Sequence, residues 1–187
     1  MSADADGAIT EHRCLVDDED ATFQFSRTVA VFDDKIQQLI HGLKYQRRRS
    51  VGVYFGSMIG KMIEIDRDLL HIDCLVPVPL HRTRLRERGY NQSDFVTQGI
   101  AAINGLPIHN RILERLRNTK SQTTLSQEER AINVKDVFRV SRPEMEQDLC
   151  VGIVDDVMTT GATLNSCGQA LIAAGAARVV GLAIARA

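Results

Sequence analysis

The chain has 187 residues, of which 44% are hydrophobic and 25% charged; these proportions fit one globular domain and exclude a wholly disordered chain. The formal net charge of −1 argues against a protein whose whole surface binds nucleic acid. The charge is divided unevenly, with a net −6 over residues 1–40, +7 over residues 41–140 and −2 over residues 141–187. A basic middle is therefore flanked by two acidic ends.

The hydrophobic pattern predicts helices alternating with apolar strands. Residues 1–22 are acidic and polar, so we expect a flexible segment there and a domain over residues 23–187. Strands that are apolar on both faces and alternate with helices indicate an α/β fold, with a parallel sheet covered on both sides. A capping-box pattern also predicts a short helix from Ser126, with Glu129 as its partner. The main helices are predicted over 32–45, 50–65, 91–103 and 162–174, and the strands over 72–78, 149–154 and 178–184.

Three glycines, Gly52, Gly56 and Gly60, repeat every fourth residue along the second predicted helix. In a membrane this spacing favours helix dimerisation, but the segment is too short to span and is flanked by charge. We therefore predict that this helix packs closely on a neighbour. The adjoining GSMIGKM sequence is not a Walker A loop, because it is one residue short and ends in Met where a hydroxyl should bind Mg²⁺.

The cysteines and the N-terminus bear on the compartment. Cys14, Cys74, Cys150 and Cys167 include no C-x-x-C pair, so the sequence has neither a zinc ribbon nor a thioredoxin motif. The acidic N-terminus has no basic segment followed by an apolar one, and no apolar run approaches ~18 residues. These features predict a cytoplasmic protein with no membrane partner.

The segment VGIVDDVMTTGAT, residues 151–163, carries the strongest functional signal. An apolar strand ends in Asp155 and Asp156, and a loop of hydroxyls and glycine leads into a helix. Ligands of α/β proteins bind at such turns, and the N–H groups at a helix N-terminus suit a phosphate. The two carboxylates would repel a bare anion, so they fit a ligand that also presents hydroxyl groups, as a ribose 5-phosphate does. The structural alternative is an Asp-Asp turn that only caps the helix.

This segment resembles the phosphoribosyl pyrophosphate (PRPP) motif of type I phosphoribosyltransferases, in which an apolar run and two acidic residues are followed, after a short spacer, by Thr-Gly-x-Thr. VPVPLHRTRLRERGYNQ at 76–92, RNTKSQTTLSQEERAINVKDVF at 117–138 and GLKY at 42–45 extend the resemblance to the ComF (competence protein F) family over about residues 30–187. It implies a type I phosphoribosyltransferase fold, with a mostly parallel sheet flanked by helices. A small hood is expected from the N-terminal segment and residues 112–140. The family often carries a four-cysteine zinc module at its N-terminus, where this chain has only Cys14, so we expect no zinc.

The resemblance also implies roles for individual residues. It implies that the loop after Pro77 binds the pyrophosphate of PRPP, because guanidinium groups can bind phosphate oxygens bidentately. Of the arginines at 82, 84, 86 and 88, Arg88 is favoured because it directly precedes a predicted helix start. A solvated basic loop or a nucleic-acid patch is the alternative. Arg117 and Lys120 lie in the expected hood loop and are candidate catalytic cations beside Asp155 and Asp156, although each also fits a surface charge. The expected PRPP-binding residues are Asp155, Asp156, Val157, Met158, Thr159, Thr160, Gly161, Ala162 and Thr163, and those on the pyrophosphate side are Pro79, Leu80, His81, Arg82 and Arg88.

The implied activity is transfer of the phosphoribosyl group to an unidentified acceptor with release of pyrophosphate. Mg²⁺ is expected to bridge substrate oxygens rather than to rest on protein ligands. Thr159 stands where the purine-salvage enzymes place an Asp, which disfavours hypoxanthine or guanine as the acceptor. The alternative is a non-catalytic PRPP- or nucleotide-binding module acting in competence and DNA uptake, with nucleic acid as a partner. Dimers are common in this enzyme class, so a homodimer is considered, and the sequence leaves the oligomeric state open.

Overall fold

The computed structural model describes residues 12–15, 25–117, 137–141 and 148–187. Two sheets lie in this part of the chain: one of five strands, in the spatial order β1-β2-β7-β6-β3, and one that pairs β4 with β5. The strands are β1 (His12–Leu15), β2 (Phe25–Val31), β3 (Cys74–Pro77), β4 (Leu113–Arg115), β5 (Phe138–Val140), β6 (Cys150–Met158) and β7 (Arg178–Arg186).

The large sheet is mostly parallel. β2, β7, β6 and β3 run in the same direction, and only β1 pairs antiparallel, with β2. The predicted α/β class and mostly parallel sheet are therefore confirmed. The helices are α1 (Asp34–Tyr45), α2 (Arg49–Ile65), α3 (Arg67–Leu70), α4 (Arg82–Arg88), α5 (Gln92–Asn104) and α6 (Ala162–Ala173).

Two apolar clusters cover the two faces of the large sheet. On one face α1, α2 and α5 pack on the sheet around residues such as Leu43, Ile59 and Leu182. On the other face α6 and the β4–β5 pair pack around residues such as Ile153 and Leu171. From Cys150 to Val154 the apolar side chains of β6 alternate between these two clusters, as the pleat of a strand requires.

Helix α2 packs closely on α5 through glycines, which confirms the predicted close approach. A Cβ atom at Gly56 would lie 2.1 Å from the carbonyl oxygen of Val96, and one at Gly99 would lie 2.2 Å from that of Val53. The two backbones therefore touch where neither helix has a side chain. No helix in the described ranges is long and apolar enough to cross a membrane.

Three features differ from the sequence predictions. Two strands, β1 at residues 12–15 and β2 at 25–31, were not predicted. Residues 82–88, expected as a loop, form α4, which His81 caps at its start and Gly89 ends with a φ of 79°. β6 runs to Met158, so both aspartates lie inside the strand rather than after it. The helix predicted from Ser126 lies outside the described residues.

Candidate functional site

Two of the segments singled out in the sequence meet at the carboxyl edge of the large sheet. β3 and β6 are neighbouring parallel strands, with Pro77 opposite Val154. α4 follows β3, and the loop that leads into α6 follows β6. The arginine-rich helix and the Thr-Gly loop therefore lie beside each other, where ligands of parallel α/β sheets bind.

Asp156 faces the side of the sheet covered by α1 and α5. Its side chain is only 5% exposed, and Lys44 of α1 places its Nζ 2.5 Å from Oδ2. Gln92, the first residue of α5, donates from Nε2 to Oδ1 over 3.4 Å. The buried carboxylate is therefore held by two donors that come from two different helices.

Asp155 is also buried but interacts with another set of groups. Its Oδ1 accepts a hydrogen bond from the Ser93 hydroxyl over 3.2 Å and one from the backbone N–H of Asp156 over 2.8 Å. Burial first, and the nearby charge of Asp156 second, raise the pKa of Asp155 to about 8, while the charge of Lys44 acts in the opposite direction. In this state Asp155 is mostly protonated at neutral pH.

Two further groups lie within electrostatic reach of Asp155. Burial and the charge of Asp155 raise the pKa of the Cys167 thiol well above its usual range. Arg115, on β4, has its pKa lowered by burial and by the charge of Arg84, with Asp155 opposing that change. Arg115 of β4 therefore interacts electrostatically with Asp155 of the motif.

The loop after β6 brings hydroxyl side chains and a glycine to the start of α6. Thr159 and Thr160 are exposed, and Gly161 adopts a φ of 81° as the N-cap of α6 without offering a side-chain acceptor. The N–H of Ala162 donates a 3.4 Å hydrogen bond to the Thr160 hydroxyl. Thr163 is half-buried one residue further on. The first turn of α6 therefore presents N–H groups and hydroxyls together.

Two residues of the predicted PRPP motif pack their side chains in the hydrophobic core. Met158 is buried in the cluster under α6, and Val157 packs against the cluster under α1, α2 and α5. Their side chains fix the end of β6 on both faces. Any contact that they make with a ligand would come from the backbone.

The predicted pyrophosphate side has several kinds of environment. Pro79 and Leu80 are half-buried, and His81 accepts a hydrogen bond at Nδ1 from the N–H of Thr83, as the cap of α4. Arg82 is exposed. Arg88 contacts two other side chains: it donates to the side chain of Gln92, and its guanidinium lies 5.1 Å from the centre of the Tyr45 ring.

The expected hood is described only at its two ends. β4 and β5 pair antiparallel, with Leu113 opposite Val140, and β5 packs beside α6. Arg117 follows β4 directly and is exposed. Lys120, the other candidate cation of this segment, lies outside the described residues.

Comparison with known proteins identifies the relatives of this chain, although no family model matches it. It is 34% identical over 160 residues to the DNA utilization protein YhgH of Salmonella typhi, covering 83% of this chain and 70% of that protein. The chain belongs to the ComF family. Over 117 residues it is 37% identical to competence protein F of Haemophilus influenzae, covering 62% and 51% of the two chains. Over 155 residues it is 26% identical to competence protein ComFC of Bacillus subtilis, covering 83% and 61%.

Sequence reasoning missed four polar residues of this ComF-family site: Lys44, Gln92, Ser93 and Arg115. Lys44 stands in the GLKY stretch that supported the resemblance, but nothing in its local pattern predicts a contact with residue 156. Gln92 and Ser93 open α5, so their contacts depend on how that helix docks on the sheet. Arg115 lies in a three-residue strand whose partner is more than 20 residues away.

Proposed function

We propose that the protein binds PRPP together with Mg²⁺ and transfers its phosphoribosyl group to an acceptor that is not yet identified, with release of pyrophosphate. One observation carries the proposal: two buried carboxylates lie near the end of β6, separated by two residues from the Thr-Gly loop that opens α6. The loop suits the 5-phosphate, and the carboxylates suit the ribose hydroxyls. An Asp-Asp turn that only capped α6 would place its oxygens on the N–H groups of that helix, whereas here they form an ion pair with Lys44 and accept hydrogen bonds from Gln92 and Ser93.

In this reaction the acceptor attacks C1 of the ribose while the bond from C1 to the pyrophosphate oxygen breaks. Positive charge develops on the ribose ring and negative charge on the leaving group. The chain's own part is to hold the sugar and to neutralise charge, which lowers the barrier without a covalent intermediate. Arg82, Arg84 and Arg115 are the cations available on the pyrophosphate side.

The residues present fit a Mg²⁺ ion that the substrate brings with it. Within the described residues, no group of three His, Cys, Asp or Glu side chains could hold a metal ion. Magnesium usually keeps several waters and binds phosphate oxygens with few protein ligands. When bound with PRPP, it would neutralise part of the pyrophosphate charge.

PRPP with Mg²⁺ is expected to raise the melting temperature of the wild-type protein by about 5 °C at ligand concentrations far above Kd. Asp156→Asn and the double variant Asp155→Asn/Asp156→Asn should lose this rise, because an amide offers one uncharged acceptor oxygen in place of the two oxygens of a carboxylate. Glu64→Gln, an exposed carboxylate of α2, serves as the matched control and should keep it. The absence of any shift in the wild-type protein at millimolar PRPP would overturn the proposal.

Turnover separates an enzyme from a binding module. Pyrophosphate release is measured with PRPP, Mg²⁺ and a panel of nucleobases and amines. Steady release with one acceptor supports the transferase. Binding without release across the whole panel favours the second candidate, a non-catalytic PRPP-binding module in competence and DNA uptake.

A specific observation also favours a nucleic-acid contact by the second candidate. Arg82 and Arg86 of α4 are exposed, Tyr45 is 65% exposed beside Arg88, and several relatives are named DNA utilization proteins. Cations interleaved with an aromatic ring suit a single strand. We expect a fluorescent oligonucleotide to bind with an affinity that falls steeply as salt rises. Arg82→Gln/Arg86→Gln should flatten that dependence, while Lys35→Gln on the exposed face of α1 should not; equal binding by both variants would contradict this contact.

A further inference from the structure

The contact between Lys44 and Asp156 joins two elements that are far apart in the sequence. The Lys44 side chain is 26% exposed and that of Asp156 is 5% exposed, and their charged atoms lie 2.5 Å apart. Of the ion pairs in the described ranges, this is the one that involves a carboxylate of the motif. An ammonium thus stands at the buried end of the site where a ligand would meet Asp156.

The position of this ammonium is set by the fold. The hydroxyl of Tyr90 donates to the backbone oxygen of Leu43, and the guanidinium of Arg88 lies over the ring of Tyr45. Residues 43, 44 and 45 therefore each contact either the segment 88–92 or Asp156. A lysine on a solvated helix face has no such anchors on both sides and loses side-chain entropy when it forms a pair.

We propose that Lys44 is a positioning residue, the built-in counter-cation that holds the Asp156 carboxylate in place and aimed at the ligand. This inference rests on the proposed function, since it makes Asp156 an acceptor for a ribose hydroxyl. With Gln92 on Oδ1 and Lys44 on Oδ2, the carboxylate is compensated before any ligand arrives. It is therefore suited to a neutral hydroxyl donor rather than to a divalent cation.

The ligand test compares three variants of the full chain by calorimetric titration with PRPP and Mg²⁺. Lys44→Met keeps the aliphatic length but removes the charge, and it should weaken PRPP binding about tenfold, since hydrogen bonds to charged groups contribute about 1.5–3 kcal/mol. Lys44→Arg restores a cation and should recover most of the affinity. Lys35→Met, on the exposed face of the same helix, should bind as the wild type does.

Magnesium alone tests the stated selectivity. We expect Mg²⁺ without PRPP to leave the melting temperature of the wild-type protein unchanged. It should raise that of Lys44→Met, in which the carboxylate pair has lost its internal cation. An equal response of the two proteins would overturn the claim that Lys44 reserves the site for hydroxyl groups.

Two results would overturn the positioning role itself. One is wild-type PRPP affinity in Lys44→Met, and the other is an affinity in Lys44→Arg as low as in Lys44→Met. If the wild-type protein does not bind PRPP, the proposed function fails. The ion pair between Lys44 and Asp156 is then tested by thermal stability alone. Lys44→Met should lower the melting temperature of the wild-type protein but not that of Asp156→Asn, because only the first change leaves a buried charge uncompensated; equal losses in both backgrounds would exclude the pair.

Discussion

Replacing Gly56 by alanine is expected to lower the melting temperature by about 10 °C. The added Cβ would lie 2.1 Å from the carbonyl oxygen of Val96 and 2.9 Å from the Cα of Gly99. Both are backbone atoms, so no side chain can rotate away and α2 must separate from α5. The higher helix propensity of alanine returns about 1 kcal/mol, which is less than the cost of forcing apart two packed helices.

Gly60→Ala and Lys61→Ala provide a graded comparison on the same helix. At Gly60 the nearest atoms include the side chains of Ile103 and Asn104, at 2.9 and 3.0 Å, so part of the strain can relax and the loss should be smaller. Lys61 is exposed, and its replacement should change the melting temperature little. Thermal unfolding followed by circular dichroism ranks the three variants, and equal melting temperatures for Gly56→Ala and Lys61→Ala would contradict the close approach.

The helices and the inner strands were predictable because their signals are local. The periodic apolar positions of α1 and α5 and the apolar runs of β3, β6 and β7 lie within single segments. The glycine spacing of α2 predicted a close neighbour, but it could not say that the neighbour is α5. That choice depends on how the two helices dock on the sheet, which involves residues about 40 positions apart.

The missed elements are stabilised by partners outside their own segments. β2 has the sequence FSRTVAV, with three polar residues in succession, and it is buried where it pairs with β7. Its Arg27 is accommodated there by an ion pair with Asp66, 2.9 Å away. α4 contains four arginines and no apolar periodicity, so it depends on its caps. The sequence pattern therefore predicted a loop at α4 and no element at β2.

The candidate site also has a part that the sequence predicts and a part that depends on the fold. Asp155, Asp156 and the Thr-Gly loop form one continuous motif, which a single sequence reveals. Lys44 and Gln92 reach Asp156 from positions 112 and 64 residues away, and no spacing in the chain encodes those contacts. The sequence also favoured Arg88 for the pyrophosphate side, whereas its guanidinium is engaged by Gln92 and Tyr45.

The stability of the unliganded protein is expected to fall as the pH rises from about 4 to about 8, through the titration of Asp155. Its pKa is about 8 in the folded protein, chiefly because of burial and then because of Asp156, against about 3.9 in an unfolded chain. Between these values the folded state binds the additional proton. The stabilisation is therefore fully present below the lower value and is lost as the pH passes through the higher one. The charged groups that face Asp155 are Asp156 and Lys44 on one side and Arg115 on the other. The two cations do not bring the pKa of Asp155 down to its value in the unfolded chain.

Asp155→Asn isolates this contribution, because an amide oxygen can still accept from Ser93 and from the N–H of Asp156. The variant should remain folded with a flatter dependence of stability on pH. Near pH 9 its free energy of unfolding should exceed that of the wild-type protein by at least roughly 2 kcal/mol. Denaturant unfolding at about pH 5, 7 and 9 measures the difference. Parallel curves for the two proteins across this range would mean that Asp155 is already ionised in the folded state, and its carboxylate would then need a second cation within the fold.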